Sequence, residues 1–142
     1  MPDAPLQPVT TDQLAELSRL AEAVARNAYA PYSQFFVGAA LLLESGEIVT
    51  GCNVENASYR LTSCAEQAAI ARAVAEYGPA IRLRAVVVAN LNNTACQPCG
   101  ACRQTIAEFA PPTATIVFPA AEGNASSCTL ADLLPAAFVL GS

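Results

Sequence analysis

The chain has 142 residues, 54% of them hydrophobic, which is enough apolar material for one domain around one core. Its net charge is −5, it has no lysine and its arginines are scattered, so it offers no basic patch for a phosphate backbone, and long nucleic acid is not an expected partner. It also has no histidine, which excludes Ser-His and Cys-His nucleophiles and histidine-bearing zinc motifs and leaves thiolates and carboxylates to hold any metal.

In chain order, residues 1–9 carry three prolines and are expected to be a mobile lead-in, with residues 10–142 forming a single domain. The lead-in has neither a basic segment nor an apolar one behind it, and no apolar run is long enough to span a bilayer, so a cytoplasmic protein with no membrane partner is expected. From Thr10 or Thr11 as N-cap, Leu14, Leu17, Leu20, Ala21, Val24 and Ala28 recur at helical spacing, with Pro31 beyond the end. Residues 36–43 are continuously apolar; the turn Glu44-Ser45-Gly46-Glu47 and the run 48–54 complete a hairpin of two buried strands. Residues 53–63 break both periods and gather polar groups just before Cys64, a natural loop for ligand contacts.

An alanine-rich helix is expected from Cys64 to Tyr77, with Ser63 as its cap and Gly78-Pro79 as its stop. Leu83–Ala89 reads as a buried strand, 90–97 as a loop, and 99–109 as a second helix opened by Pro98. Ala114–Phe118 gives a fourth strand, Glu122-Gly123-Asn124 a turn, 126–129 a short fifth strand and 130–135 one helical turn. Strands alternating with helices argue for an α/β layered domain, and the opening hairpin makes its sheet mixed.

Two short stretches carry the chemistry: Cys64-Ala65-Glu66, and Pro98-Cys99-Gly100-Ala101-Cys102. Both fall at expected helix starts, where free backbone N–H groups and the positive end of the helix dipole favour thiolates. Three soft ligands leave a tetrahedral zinc one position short, as a catalytic site requires, and Glu66 is spaced to handle protons there. Three thiolates make such a centre anionic; Arg103, beside Cys102, is a candidate for a charge-assisted bond to a sulfur. Each piece alone has plainer readings: a redox dithiol, half of a zinc ribbon, core cysteines, a solvated glutamate. The remaining Cys52, Cys96 and Cys128 form no second close pair and are expected not to be ligands, and a disulfide framework suits neither the composition nor the absent secretion signal.

Cys64-Ala-Glu66 with Pro98-Cys99-Gly-Ala-Cys102-Arg103-Gln104 resembles the zinc-dependent cytidine deaminases, in their small homotetrameric, all-cysteine branch. The likeness extends over Ala30–Leu42, Gly51–Ala57 and Leu133–Phe138, nearly the whole chain past the lead-in. It implies a three-layer α/β fold with a mixed five-stranded sheet, and one zinc per subunit held by Cys64, Cys99 and Cys102. It further implies hydroxide on the zinc attacking C4 of cytosine while Glu66 shuttles protons, turning cytidine and 2′-deoxycytidine into the uridine forms with release of ammonia, in pyrimidine salvage. In the same way it implies that Asn53 and Glu55 hold the ribose, that Phe35 and Ala65 meet the base, and that Phe138 reaches a neighbouring subunit's site in a homotetramer.

One departure stands out. The branch usually has arginine directly after the catalytic glutamate, where this chain has Gln67, which can donate to a sulfur but not cancel its charge; Gln67 and Arg103 thus join the expected surroundings of the metal. Phe36 also departs, where the family often has a smaller or polar residue. Deamination of another cytosine compound such as blasticidin S, an inert zinc-stabilised binding module and polynucleotide editing are the competing functions.

Overall fold

In the first strand, alternation along one buried segment decides what packs on each side of the sheet. The computed structural model describes residues 6–121 and 124–141, so Glu122 and Gly123 of the expected turn lie outside the described residues. Every residue of Val37–Leu43 (β1) is buried. Val37, Ala39, Leu41 and Leu43 join one apolar cluster, and Ala40 and Leu42 join another on the opposite face. A strand buried on both faces needs a layer on each, and both are present.

Five strands form the sheet in the order β2-β1-β3-β4-β5, with β2 spanning Ile48–Cys52, β3 Leu83–Asn90, β4 Thr115–Pro119 and β5 Ala125–Thr129. Only β3 and β4 pair in parallel, so the sheet is mixed, as expected. On one face lies Thr11–Ala25 (α1), which places Leu17 and Ala21 over Ala40, Leu42, Ala85 and Val87. Its start is fixed by a capping box: Thr10 accepts from the Gln13 backbone N–H and donates its own N–H to the Gln13 side chain. The helix comes so close to the sheet that a Cβ on Gly38 would sit 2.0 Å from the Ala21 carbonyl oxygen.

The other face carries Ala65–Tyr77 (α2) and Gly100–Phe109 (α3). Alanine is the strongest helix former and leaves α2 thin enough to lie directly on β2. A Cβ on Gly51 would meet the Ala69 amide nitrogen at 2.4 Å. The short Leu130–Leu133 helix (α4) follows β5 and is capped by Thr129 in a second box with Asp132.

The topology explains why two helix starts meet. Strands β2 and β3 both run antiparallel to β1, so their C-terminal ends lie at the same end of the sheet. The chain leaving β2 leads to α2 and the chain leaving β3 leads to α3, both on one face. Their N-termini, with the cysteines, converge there.

Of the expected lead-in, residues 1–5 lie outside the described residues, whereas Gln7 and Pro8 are held by Arg84, which donates to both carbonyls at 3.2 and 3.0 Å. Among the described residues no helix is long and apolar enough to cross a membrane.

Candidate active site

Cys64 is the N-cap of α2 and Cys99 the N-cap of α3, both in extended backbone with no side-chain capping bond, so the sulfurs are free to face each other. This corrects the expectation that Ser63 caps α2. Ser63 exchanges both backbone hydrogen bonds with Val54, which holds it in a β-bridge and passes the cap position to Cys64. Cys102 follows in the first turn of α3 and is buried.

The three sulfurs lie within 4.8 Å of one another, and Cys99 and Cys102 approach to 3.4 Å. Zn–S bonds in tetrahedral geometry put sulfurs roughly 3.8 Å apart, so the cluster fits zinc with little adjustment. Three soft donors suit zinc, and no other Cys, Asp or Glu among the described residues joins the group, which leaves a fourth position open. The thiols influence one another: a hydrogen bond from Cys102 draws the Cys64 thiol down to about 7, and the same bond, with burial, pushes Cys102 up.

Glu66 occupies the first turn of α2 and is only 4% exposed. Burial pushes its carboxyl above its ordinary value, so the environment favours a protonated glutamate more than water does. Cys96 is pushed up to about 11, by burial and then by the Glu66 charge, and burial also raises Cys52 and Cys128. None of the three joins the cluster, and all six cysteines are free thiols.

Gln67 and Arg103 behave differently from each other. Gln67 Nε2 donates to Cys102 Sγ at 3.8 Å, the contact open to a glutamine. Among the described residues Arg103 makes no hydrogen bond to a sulfur: its Nε donates to the Pro98 carbonyl at 2.8 Å and its Nη1 to the Leu133 carbonyl at 3.0 Å. Backbone oxygens claim the guanidinium, so Arg103 braces the turn that carries Cys99 instead of bonding to a ligand.

The expected substrate residues Asn53, Glu55 and Phe35 are brought together with Asn53 in the middle. Asn53 is 8% exposed; its Oδ1 accepts from the Val37 N–H at 2.9 Å and its Nδ2 donates to the Phe35 carbonyl at 2.8 Å. Glu55 accepts from the backbone N–H groups of Tyr32 and Ser33 at 3.0 and 3.1 Å, and from the Ser33 hydroxyl. These bonds, the hydroxyl first, hold the Glu55 carboxyl below its ordinary value. Tyr32, Ser33, Glu55, Tyr59 and Thr62 line a hollow of about 330 Å³. Ala65 is buried beside Glu66, while Phe138 is 69% exposed, its carbonyl accepting from Gln104 Nε2.

Sequence reasoning missed Asn92. Its Oδ1 accepts from the Phe36 N–H at 3.0 Å and its Nδ2 donates to the Gln34 carbonyl at 2.9 Å. The only trace of this in the sequence is the density of amides in Asn90-Leu91-Asn92-Asn93 right after a strand.

Residues 11–118 match the family model of the cytidine and deoxycytidylate deaminase zinc-binding region. Over 111 residues, 78% of this chain and 83% of its relative, the sequence is 44% identical to a cytidine deaminase of Halalkalibacterium halodurans. The fold is similar to the crystal structure of cytidine deaminase from Burkholderia pseudomallei, with a TM-score of 0.79 at 43% identity over 87% of this chain and 98% of that one. It is also similar to cytidine deaminase from Mycobacterium tuberculosis, with a TM-score of 0.78 at 41% identity over 89% and 98%.

Proposed function

Since the chain belongs to the cytidine and deoxycytidylate deaminase family, we propose that it hydrolyses cytidine and 2′-deoxycytidine to uridine and 2′-deoxyuridine with release of ammonia, in pyrimidine salvage in the cytoplasm. As a zinc-dependent hydrolytic deaminase it holds its metal through Cys64, Cys99 and Cys102. The observation that carries the reading is a nearly buried glutamate two residues from one of three clustered sulfurs.

Zinc bound there supplies a water acidic enough to lose its proton near neutral pH. Glu66 accepts that proton, places it on N3 of the cytosine ring, and carries a second to the exocyclic amino group as it leaves. Water enters and ammonia departs, so the base gains one oxygen and loses one nitrogen. A carboxyl raised by burial is suited to this exchange, because its affinity for the proton is brought nearer to that of the groups it serves.

Glu55 and Asn53 hold the ribose, and Phe35 and Ala65 meet the base. Glu55 uses one oxygen for two backbone donors and the other for Ser33, which leaves acceptor capacity for a sugar hydroxyl beside the hollow it lines. Residues 10–142 act as one catalytic domain, and the subunits assemble as a homotetramer in which Phe138 enters a neighbour's site. Support for assembly is the apolar surface of Phe138, Val139 and Leu140 at the tail and of Tyr59 at 77% exposed.

The test is loss of cytidine absorbance with stoichiometric ammonia, run with metal analysis on the same preparation, with blasticidin S as a competing substrate. An inert zinc module binds metal and releases no ammonia from either compound. Light scattering on the same sample reads the mass of the assembly.

A further inference from the structure

The backbone leading into β1 is held at every polar group. From Gln34 to Val37 there are four N–H and four carbonyl groups, and each has a partner. Gln34 N–H donates to the Ala30 carbonyl and Phe35 N–H to the Ser33 hydroxyl, both at 3.0 Å. The Phe36 carbonyl accepts from Leu91 N–H at 3.0 Å and the Val37 carbonyl from Asn53 N–H at 3.2 Å. The remaining four groups go to two side-chain amides: Asn53 takes the Phe35 carbonyl and Val37 N–H, and Asn92 takes the Gln34 carbonyl and Phe36 N–H. An asparagine side chain has the donor and acceptor of a peptide group, so the two residues pair with the segment as neighbouring strands would.

The segment needs this restraint. Gln34 has a φ of 59°, a left-handed conformation that residues with side chains seldom adopt, and it directly precedes Phe35. Asn92 is itself fixed: its N–H donates to Asn90 Oδ1 at 2.9 Å, and Asn90 Nδ2 closes the turn on the Thr94 carbonyl at 2.7 Å. That turn belongs to the loop between β3 and the metal-binding Cys99.

We infer that Asn92 is a positioning residue that sets Phe35 against the base, by holding Gln34 and Phe36 on either side of it and tying them to the loop that leads to Cys99. The inference rests on the proposed role of Phe35 at the base. Asn92 is exposed and lies outside both apolar clusters, so its effect falls on the segment it grips and not on the core.

The test is a double-mutant cycle of Asn92→Ala and Phe35→Ala on the zinc-loaded enzyme. Asn92→Ala is expected to raise KM for cytidine roughly fivefold with kcat and zinc content within twofold of the parent. Phe35→Ala is expected to raise KM further, and adding Asn92→Ala to it to change KM less than twofold, because the ring to be positioned is gone. Asn92→Asp, which keeps the acceptor for Phe36 N–H and loses the donor to Gln34, should fall between, and it takes the place of the alanine variant in the cycle if that variant does not fold. A raised KM in Phe35→Ala with a parental KM in both Asn92 variants, or effects that multiply in full, overturns the inference alone. A parental KM in Phe35→Ala overturns the role of Phe35 at the base, and the inference with it.

Discussion

Gln67 joins α2 to α3 through its side-chain amide, which donates to Cys102 Sγ at 3.8 Å. The donor is neutral, so it orients the sulfur without offsetting the charge of three thiolates. Removing it with Gln67→Leu is expected to weaken zinc binding about tenfold in chelator competition, the usual scale for a group bonded to a metal ligand. Gln67→Arg, which adds the charge the family usually carries there, is expected to tighten it. Equal affinities in all three proteins would show that helix N-termini alone settle the charge.

Glu66→Gln keeps the shape of the side chain and removes its capacity to take up a proton. Turnover is expected to fall by about 10³-fold with zinc retained in full. Ammonia release at the parental rate would remove Glu66 from the chemistry, and zinc loss would make it part of the metal site instead.

Arg103 braces the Cys99 turn from behind, through Pro98 and Leu133. Arg103→Ala is expected to speed zinc release to a chelator while Cys102 keeps its bond from Gln67. Unchanged release kinetics would mean that Pro98, whose ring is fully buried, holds the turn unaided.

Two glycines make opposite predictions. Gly38→Ala drives a methyl into the α1 backbone, where nothing flexible can yield, and is expected to cost about 3 kcal/mol or to prevent folding. Gly100→Ala meets nothing within 4 Å and removes a flexible residue from a helix start, so it should be neutral or gain up to about 1 kcal/mol. Thermal melts of the two variants decide both.

The Glu55 carboxyl is held below its ordinary value of 4.5, first by the Ser33 hydroxyl. A group held down in the folded state contributes stability above its ordinary value and loses it as pH falls through the lowered one. The 32–33 turn is therefore tied at neutral pH and released only in acid. In Ser33→Ala the Glu55 midpoint, read by carboxyl-carbon NMR, should move up; an unmoved midpoint would assign the lowering to the two backbone donors.

The α/β layering, the hairpin, the Gly78-Pro79 stop of α2 and the ligand cysteines were legible in the sequence because each is announced by a short local pattern. What was not legible depends on distant partners. Apolar spacing carries α1 on to Ala28, yet the helix ends at Ala25. Tyr29 pairs with Asn53 and Glu55 through both its backbone groups, and that tertiary bridge overrides the local pattern. Ser63 lost the cap position of α2 to the same kind of bridge with Val54. The Arg103 partner at Leu133 lies 30 residues on, and the Asn92 partners lie 56 and 58 residues back, distances no local pattern reports.

The order in which the ligands come together follows from the sheet. Cys99 and Cys102 are neighbours in any state of the chain, so an unfolded molecule can already grip zinc by two sulfurs. In the folded chain Cys64 is brought to them by the pairing of β3 beside β1, which joins Val37 to Asn90. Pairings of that sequence separation form late, since the loop must close before any contact compensates for it. The third sulfur thus ties the complete metal site to the pairing of β1 with β3, and whatever loosens that pairing loosens the grip on the metal.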